Sequence, residues 1–589
     1  MKKVTSLLLA LCLLVTVFSM AGCGGENAVD ENTLQLTYWI AGGADSVYYP
    51  TYEDNPCIKY VETLEFNGKK VDFQFLVPVT GAELDNFNTL LATEEYAGIM
   101  DMSRSTTSAS ELYTDGIIHD LTPYVEQYMP NYMALLEEHS HLKMYVTNQV
   151  DGETKYLQLY GIREKAQANF MGFCYRRDWI AKYGKNPQTG AAFTYGFDEE
   201  NNGETWHDDV IFPSGNPDPV YISDWEWMFE IFKVAMADLG ITDGYCYAPY
   251  FKGFMEDGSL YTSFGGGAPL WYRDTEGNAA FGGDTDNMRA YLQCMNAWYE
   301  NGWIDKQFAE HTGDLAYAID TEKVHTGKVG LWLGRTGELG AEMDMDDAYT
   351  DGIMVCGAKQ PINDIYGSDA QKGKTPDSMY QMSQLSSALV ISDKVAEEDI
   401  PTVLTMLDYF YTEEGGALLA FGLNKEQVEL IQDQVYPKFG LSNGAYERVV
   451  AEDGTVTYVA EPVTYEDSQL GNAMCLNRIA TGVFTEAMVV SKDSNYHSYA
   501  VEAHNHWDFY PNLGYPEKSI MAQFTTEESN AYNKVHANVD TFMSTNIPKF
   551  INGSLDIDSD EDWDDYCTML NKYSPEKITK VFQRLYSGS

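Results

Sequence analysis

The chain has 589 residues, with 38 basic and 89 acidic side chains and a formal net charge of −51. That balance excludes a general nucleic-acid-binding protein, because phosphate needs a basic face, and it makes acidic membrane surfaces and polyanions poor broad partners. An apolar content of 44% excludes global disorder, and the length allows about two to four domains.

The chain opens like a secreted protein. Lys2 and Lys3 form a positive start and Leu7 to Phe18 an apolar run too short to span a bilayer, so residues 1–22 read as a signal peptide. Ser19-Met20-Ala21-Gly22-Cys23 resembles a bacterial lipobox, with Met20 where Leu is usual. Cys23 is then the lipidated first residue of the mature chain, and residues 23–32 form a small, polar tether. Nothing later is long and apolar enough for a membrane span. Seven widely spread cysteines remain, with no C-x-x-C spacing, which points to buried thiols rather than a disulfide framework or zinc knuckle.

From Leu34 the pattern alternates strands and helices. Leu34 to Ile40 is a strand entering a glycine loop, and Val71 to Val77 is a second. Asp85 to Glu95 has helical periodicity, with Phe87, Leu90 and Leu91 on one face. Gly98 to Ser103 is a short buried strand with a polar end, and a helix follows around Tyr124 to Tyr128. Strands alternating with helices give an α/β layer fold, whose ligands bind at the carboxyl ends of strands.

Further motifs follow in a fixed order: "GETKYLQLYG", "CYRRDWIAKYG", "SDWEWMFEIFKVA", "HTGKVGLWLGR", "SSALVISDKV", "YFYTEEGGALLAFG" and a closing "FINGSLDIDSDEDWDDY". Together with "LTYWI", "GIMDMS" and "GIIHDLTPYV", this order resembles the bacterial extracellular solute-binding lipoproteins of ABC sugar importers, the family 1 type, distantly similar to maltose-binding protein. The resemblance implies an α/β, two-lobed, periplasmic-binding-protein-like clamshell of class II. Each lobe is then a sheet flanked by helices, with a ligand cleft between. It implies chain crossings near Leu159 to Asn169, Met379 to Ser386 and Asn424 to Lys438. Lobe one becomes residues 31–165 with 380–435, and lobe two residues 166–379 with 436–589.

A sugar presents hydroxyls to polar side chains and C–H faces to aromatic rings. Trp39 ends the first strand, either as core or, before Gly42 and Gly43, as a cleft residue. Asp101 and Ser103 end "GIMDMS", where a carboxylate either caps the next helix or meets ligand; Arg104 is an alternative partner for Asp101. Trp332 alternates with Leu331 and Leu333, and in relatives this strand end carries a sugar-stacking aromatic; Arg335 follows it. Trp271 comes after the triple glycine at 265–267, which resembles a loop near the ligand in relatives. Asn169, Tyr175 and Tyr380 lie near the expected crossings.

Asp198, Glu200, Asn202, Glu204 and Asp209 lie in an acidic insertion with Gly203 at the sixth position, close to an EF-hand-like calcium loop. The alternative is a solvated acidic loop. Asp556 to Asp562 lacks the glycine and better suits a helix N-terminus before Trp563. His504 and His506, two apart, do not share a helix face. There is no phosphate-cradling glycine motif and no G-x-S-x-G.

The expected function is capture of a carbohydrate by a monomer held on the outer face of the cell membrane of a Gram-positive bacterium through its lipid alone. Delivery to the permease subunits of an ABC transporter follows. The protein is expected to need no cofactor beyond a structural calcium ion, not to be an enzyme, and to take a neutral or weakly charged ligand. The competing readings are an extracellular glycosidase or lyase, since acidic pairs abound, and a sensor presenting sugar to a membrane kinase.

Overall fold

The computed structural model describes residues 32–42, 47–165, 171–197, 206–249, 260–274, 276–310, 326–335, 352–376, 384–476, 481–494, 498–510 and 518–587. In chain order the strands are β1 (Thr33–Trp39), β2 (Lys70–Leu76), β3 (Ile99–Asp101), a hairpin of β4 (Asn148–Val150) and β5 (Glu153–Lys155), and β6 (Leu159–Arg163). Next come β7 (Met171–Arg176), a hairpin of β8 (Tyr195–Phe197) and β9 (Trp206–Asp208), β10 (Tyr245–Ala248), a hairpin of β11 (Trp271–Arg273) and β12 (Ala279–Phe281), β13 (Val329–Arg335) and β14 (Val355–Ala358). The last are β15 (Leu385–Ile391), a hairpin of β16 (Tyr446–Val450) and β17 (Val456–Ala460), and β18 (Val483–Phe484).

Two sheets organise the chain. One has six strands in the order β18-β6-β15-β3-β1-β2, and the other four in the order β10-β13-β7-β14. Each has its own apolar core. The first is built on residues such as Leu36, Ile99, Leu159 and Leu404, the second on Phe173, Trp225, Phe229 and Leu331. This is the two-lobed α/β architecture that the motif order implies.

Helices cover the sheets because their apolar faces repeat at helical spacing. Ile222–Asp238 buries Trp225, Met228, Phe229 and Phe232 against the second sheet. The Asp224 carboxylate accepts the N–H groups of Val220 at 2.8 Å and Tyr221 at 3.1 Å, which fixes where that helix starts. Thr525 and Glu528 form a capping box for the long helix Thr526–Ile551. Ser559 caps Asp560–Asn571, whose first turn carries Asp560, Glu561 and Asp562. The acidic stretch before Trp563 thus sits at a helix N-terminus, where the macrodipole favours negative charge.

The lobe boundaries need one correction. The segment from Tyr436 to Val483, which motif order puts in the second lobe, packs on the first: Tyr436, Leu441, Leu470, Met474 and Val483 all belong to the first core. β18 also adds to the edge of the first sheet beside β6. The final passage to the second lobe therefore lies after the helix Glu486–Ser494. The helix Ser498–Trp507 already packs on β7 and β14. Sequence order cannot show this, because β18 is only two residues long and owes its place to a partner far away in the chain.

All seven cysteines among the described residues are thiols, and six are buried. Burial pushes the Cys57, Cys246, Cys294 and Cys356 thiols above their usual range, so they stay protonated and inert.

Candidate binding cleft

Strand direction decides where a ligand meets both lobes. β1, β2 and β3 are parallel, and β6 runs with them because β15 is antiparallel to both β3 and β6. β18 is parallel to β6. The carboxyl ends of these five strands therefore share one edge, at Trp39, Leu76, Asp101, Arg163 and Phe484. In the second sheet β10 is parallel to β13, and β13 and β14 are both antiparallel to β7. Their carboxyl ends at Ala248, Arg335 and Ala358 lie beside the start of β7. The chain leaves the first edge at Arg163 and enters the second at Met171, and returns from Ala358 to Leu385. Both passages join carboxyl edge to carboxyl edge, so the two edges flank the hinge, where α/β folds bind ligands.

At the first edge, Asp101 ends β3 and is partly exposed. One of its carboxylate oxygens, Oδ1, accepts the Ser103 N–H at 2.7 Å. Burial raises its pKa above the usual carboxylate value, against the N–H groups of Ser103 and Ala41 and the charge of Arg104. Ser103 and Arg104 are exposed, and Arg104 makes no salt bridge among the described residues. Asp101 thus turns the chain after β3 and still presents a carboxylate edge to solvent.

At the hinge, Arg163 and Lys492 approach the Phe484 ring, with the guanidinium carbon 5.5 Å and the ammonium 5.9 Å from its centroid. Next to Lys492, Asp493 has its pKa pushed up to about 6, first by burial and then by Asp508 on the far side of the hinge. Gln384 donates its amide to the carbonyl oxygens of Arg163 and Glu164 at 3.3 and 3.4 Å, fixing the start of the return passage.

At the second edge, the Lys359 ammonium lies 3.6 Å from the Phe509 ring centroid. Phe509 is 55% exposed, and Tyr510 meets it edge-on at 4.9 Å. Just past the far end of β7, Arg177 is the hub of a buried network. It pairs with both Asp208 oxygens at 2.6 and 2.8 Å, the Tyr175 hydroxyl at 2.8 Å and Asp218 at 3.3 Å. His506 lies 3.6 Å from Asp218 and contacts the Gly357 carbonyl at 2.8 Å. Burial opposes its charge, but Asp218 and that carbonyl outweigh burial and raise its pKa.

Four expected ligand residues are core residues instead. Trp39 is fully buried, donates its indole N–H to Asn86 at 2.9 Å and sits edge-on to Phe87. The two-sided sheet turns it onto the helix Glu83–Thr93 rather than into the cleft. Tyr175 is fully buried and lies at the end of β7 away from the edge. Trp332 is 2% exposed, in the middle of β13. Trp271 gives its indole N–H to the Pro575 carbonyl at 3.1 Å and packs on Phe281, Tyr532 and His536, so it seats the C-terminal helices.

Arg335 ends β13 opposite Met171, in the expected place for its backbone. Asn169, Tyr380, Cys23, Asp198, Glu200, Asn202 and Glu204 lie outside the described residues. Asp209, the last member of the expected calcium set, is described, and its carboxylate accepts the Thr194 N–H at 2.6 Å. β8 and β9, which precede and follow the insertion in the chain, pair antiparallel, and no metal-binding cluster occurs among the described residues. His504 and His506 share the helix Ser498–Trp507, but His506 turns to Asp218.

The sequence reading does not single out Arg163, Lys359, Phe484, Lys492 or Phe509. Arg163 had a usable signal, a cation ending the apolar run "LYGI". Lys492 and Phe509 had none, because packing alone brings them to the hinge.

No family model and no curated protein matches this sequence. Solved structures do. The Streptococcus pneumoniae ABC-transporter substrate-binding protein FusA, in complex with kestose, is similar at TM-score 0.62 and 15% identity, over 94% of this chain and 99% of that chain. An extracellular solute-binding protein from Bifidobacterium longum subsp. infantis gives 0.62 and 15%, over 94% and 98%. An ABC-transporter-associated solute-binding protein from B. longum infantis, described as HMO-binding, gives 0.61 and 14%, over 94% and 99%. The likeness spans nearly the whole of each chain, and the protein therefore has the two-lobed fold of the extracellular solute-binding proteins of ABC transporters.

Proposed function

We propose that this protein captures a carbohydrate between its two lobes, outside the cell, and passes it to an ABC transporter in the membrane. The observation that carries this reading is a match along nearly the full length to binding proteins, one of them holding kestose. The two carboxyl edges that flank the hinge give such a ligand its place. Asp101, Ser103 and Arg104 contact it from the first lobe and Lys359 and Phe509 from the second; the carboxylate and cations take hydroxyls and the exposed ring takes a C–H face. The described helices include none long and apolar enough to cross a membrane, and the lipid on Cys23 is the proposed anchor. The protein binds and releases its ligand without altering it.

A thermal-shift screen over oligosaccharides, with chromatography of the recovered sugar, tests this. Stabilisation of several degrees with the sugar intact is expected. Turnover of the sugar would move the protein to the glycosidase class. Failure of every carbohydrate to stabilise it would remove the reading.

A further inference from the structure

His506 lies just before the aromatics of the second edge, and its two ring nitrogens meet two acceptors. Nδ1 is 2.8 Å from the Gly357 carbonyl in β14, and Nε2 is 3.6 Å from an Asp218 oxygen. A carbonyl and an ionised carboxylate can only accept, and a neutral imidazole has a single N–H. Only the imidazolium, with an N–H on each nitrogen, suits both partners; losing a proton turns a lone pair toward an oxygen. Burial opposes the Asp218 charge, but His506, Arg177 and Lys359 outweigh it and hold its pKa below the usual value. Glu502, on the same helix as His506, also favours the imidazolium. The remaining titratable neighbours stay neutral. Burial pushes His504 down to about 4 and pushes the Tyr175 hydroxyl and the Cys356 thiol up.

The turn that follows His506 carries the exposed Phe509 ring. The Asp508 N–H donates to the His504 carbonyl at 2.8 Å and the Phe509 N–H to the His506 carbonyl at 3.4 Å, so this turn is folded back on the end of the helix Ser498–Trp507. Lys359, the residue after β14, lies over the Phe509 ring, and Tyr510 meets that ring edge-on. His506 thus joins the helix to the same strand end from which Lys359 reaches Phe509. Resting on the carbohydrate-binding reading above, we propose that His506 is a positioning residue for the sugar: as an imidazolium it holds the helix end to β14 and keeps Phe509 set at the cleft, and deprotonation loosens that face and weakens binding. A neutral sugar does not titrate in this range, so the protein alone sets the dependence. The protonated protein binds the sugar better, and by linkage the sugar draws a proton onto the protein.

The test is calorimetry on the full chain with maltotriose and cellotriose as neutral probes, at about pH 6, 7 and 8.5, in buffers of different ionisation enthalpy. Wild type is expected to bind about threefold to tenfold more weakly at the highest pH than at the lowest, as the competent arrangement becomes less populated. Near pH 7 it should take up a fraction of a proton per sugar bound. His506→Gln, whose amide cannot donate to both acceptors, should show the high-pH wild-type affinity throughout and no proton uptake. Asp493 at the hinge also titrates near pH 6, and this variant retains it, so a pH dependence that survives His506→Gln overturns the assignment. A histidine that only stabilised the fold would move the melting temperature and leave the affinity flat. Sugar binding with a flat wild-type profile and no proton uptake therefore also overturns it, and leaves the carbohydrate reading intact. If no sugar binds at any pH, the carbohydrate reading falls, and this inference with it.

Discussion

Trp271 and Trp332 carry large rings with little or no solvent contact, so truncation removes packing rather than a binding face. Trp271→Ala and Trp332→Ala should each cost about 3–5 kcal/mol of stability, read as an earlier denaturant midpoint in the absence of sugar. An unchanged midpoint would return the ring to the cleft. His506 makes a pH-dependent contribution. Its folded pKa is raised, so its stabilisation is fully present below the unfolded value of about 6.5 and is lost as pH rises through the folded value. The melting temperature of wild type should exceed that of His506→Gln most at pH 6 and least at pH 8. A difference that grows with pH would contradict the contact with Asp218.

The helix Ser498–Trp507 shows how an element is fastened to a lobe. It lies so close to β7 and β14 that a Cβ on Gly172 would come within 2.1 Å of the Trp507 ring, and one on Gly357 within 2.6 Å of Ala503. The Trp507 indole N–H also donates to the Phe173 carbonyl at 3.0 Å. Gly172→Ala should therefore lift the helix and cost about 1–3 kcal/mol, with Trp507 fluorescence moving toward that of a solvated indole. Asp493 ends the preceding helix, at the hinge. Its pKa is raised to about 6, so ionising it above that pH works against the folded state. Asp493→Asn should melt higher than wild type at pH 7.5 and equally at about pH 3, below the unfolded carboxyl value. A lower melting temperature at pH 7.5 would mean that its charge is compensated.

For the whole molecule, the two lobes meet beside the hinge as well as through the chain passages. The Gln523 amide, in the segment leading to the long helix Thr526–Ile551, donates to the carbonyls of Met144 and Thr147 in the first lobe. A ligand that touches both carboxyl edges favours the closed arrangement by its differential affinity for it. Small-angle scattering should show a smaller radius of gyration with saturating ligand, and no change would count against closure. The contact at Gln523 lies on the hinge flank, so it should persist in both states, with amide exchange at Met144 and Thr147 unaltered by sugar.

Strand and helix identities were largely set by local pattern. Leu34 to Ile40, Val71 to Val77 and the helix Asp85 to Glu95 all lie within a few residues of their observed elements, because period and end signals are properties of neighbouring residues. The order of motifs also determined the two-lobed plan. Pairing and burial were decided only in the tertiary structure. A single alternating strand offers its large rings to either face, and the covering helix decides which face is dry; this is why Trp39 and Trp332 became core. The lobe assignment of Tyr436 to Val483 followed from β18 pairing with β6, a contact more than 300 residues apart in the chain. The hinge cations are the clearest case: Arg163 and Lys492 are as far apart in sequence as those strands, and only folding brings their charges onto one ring.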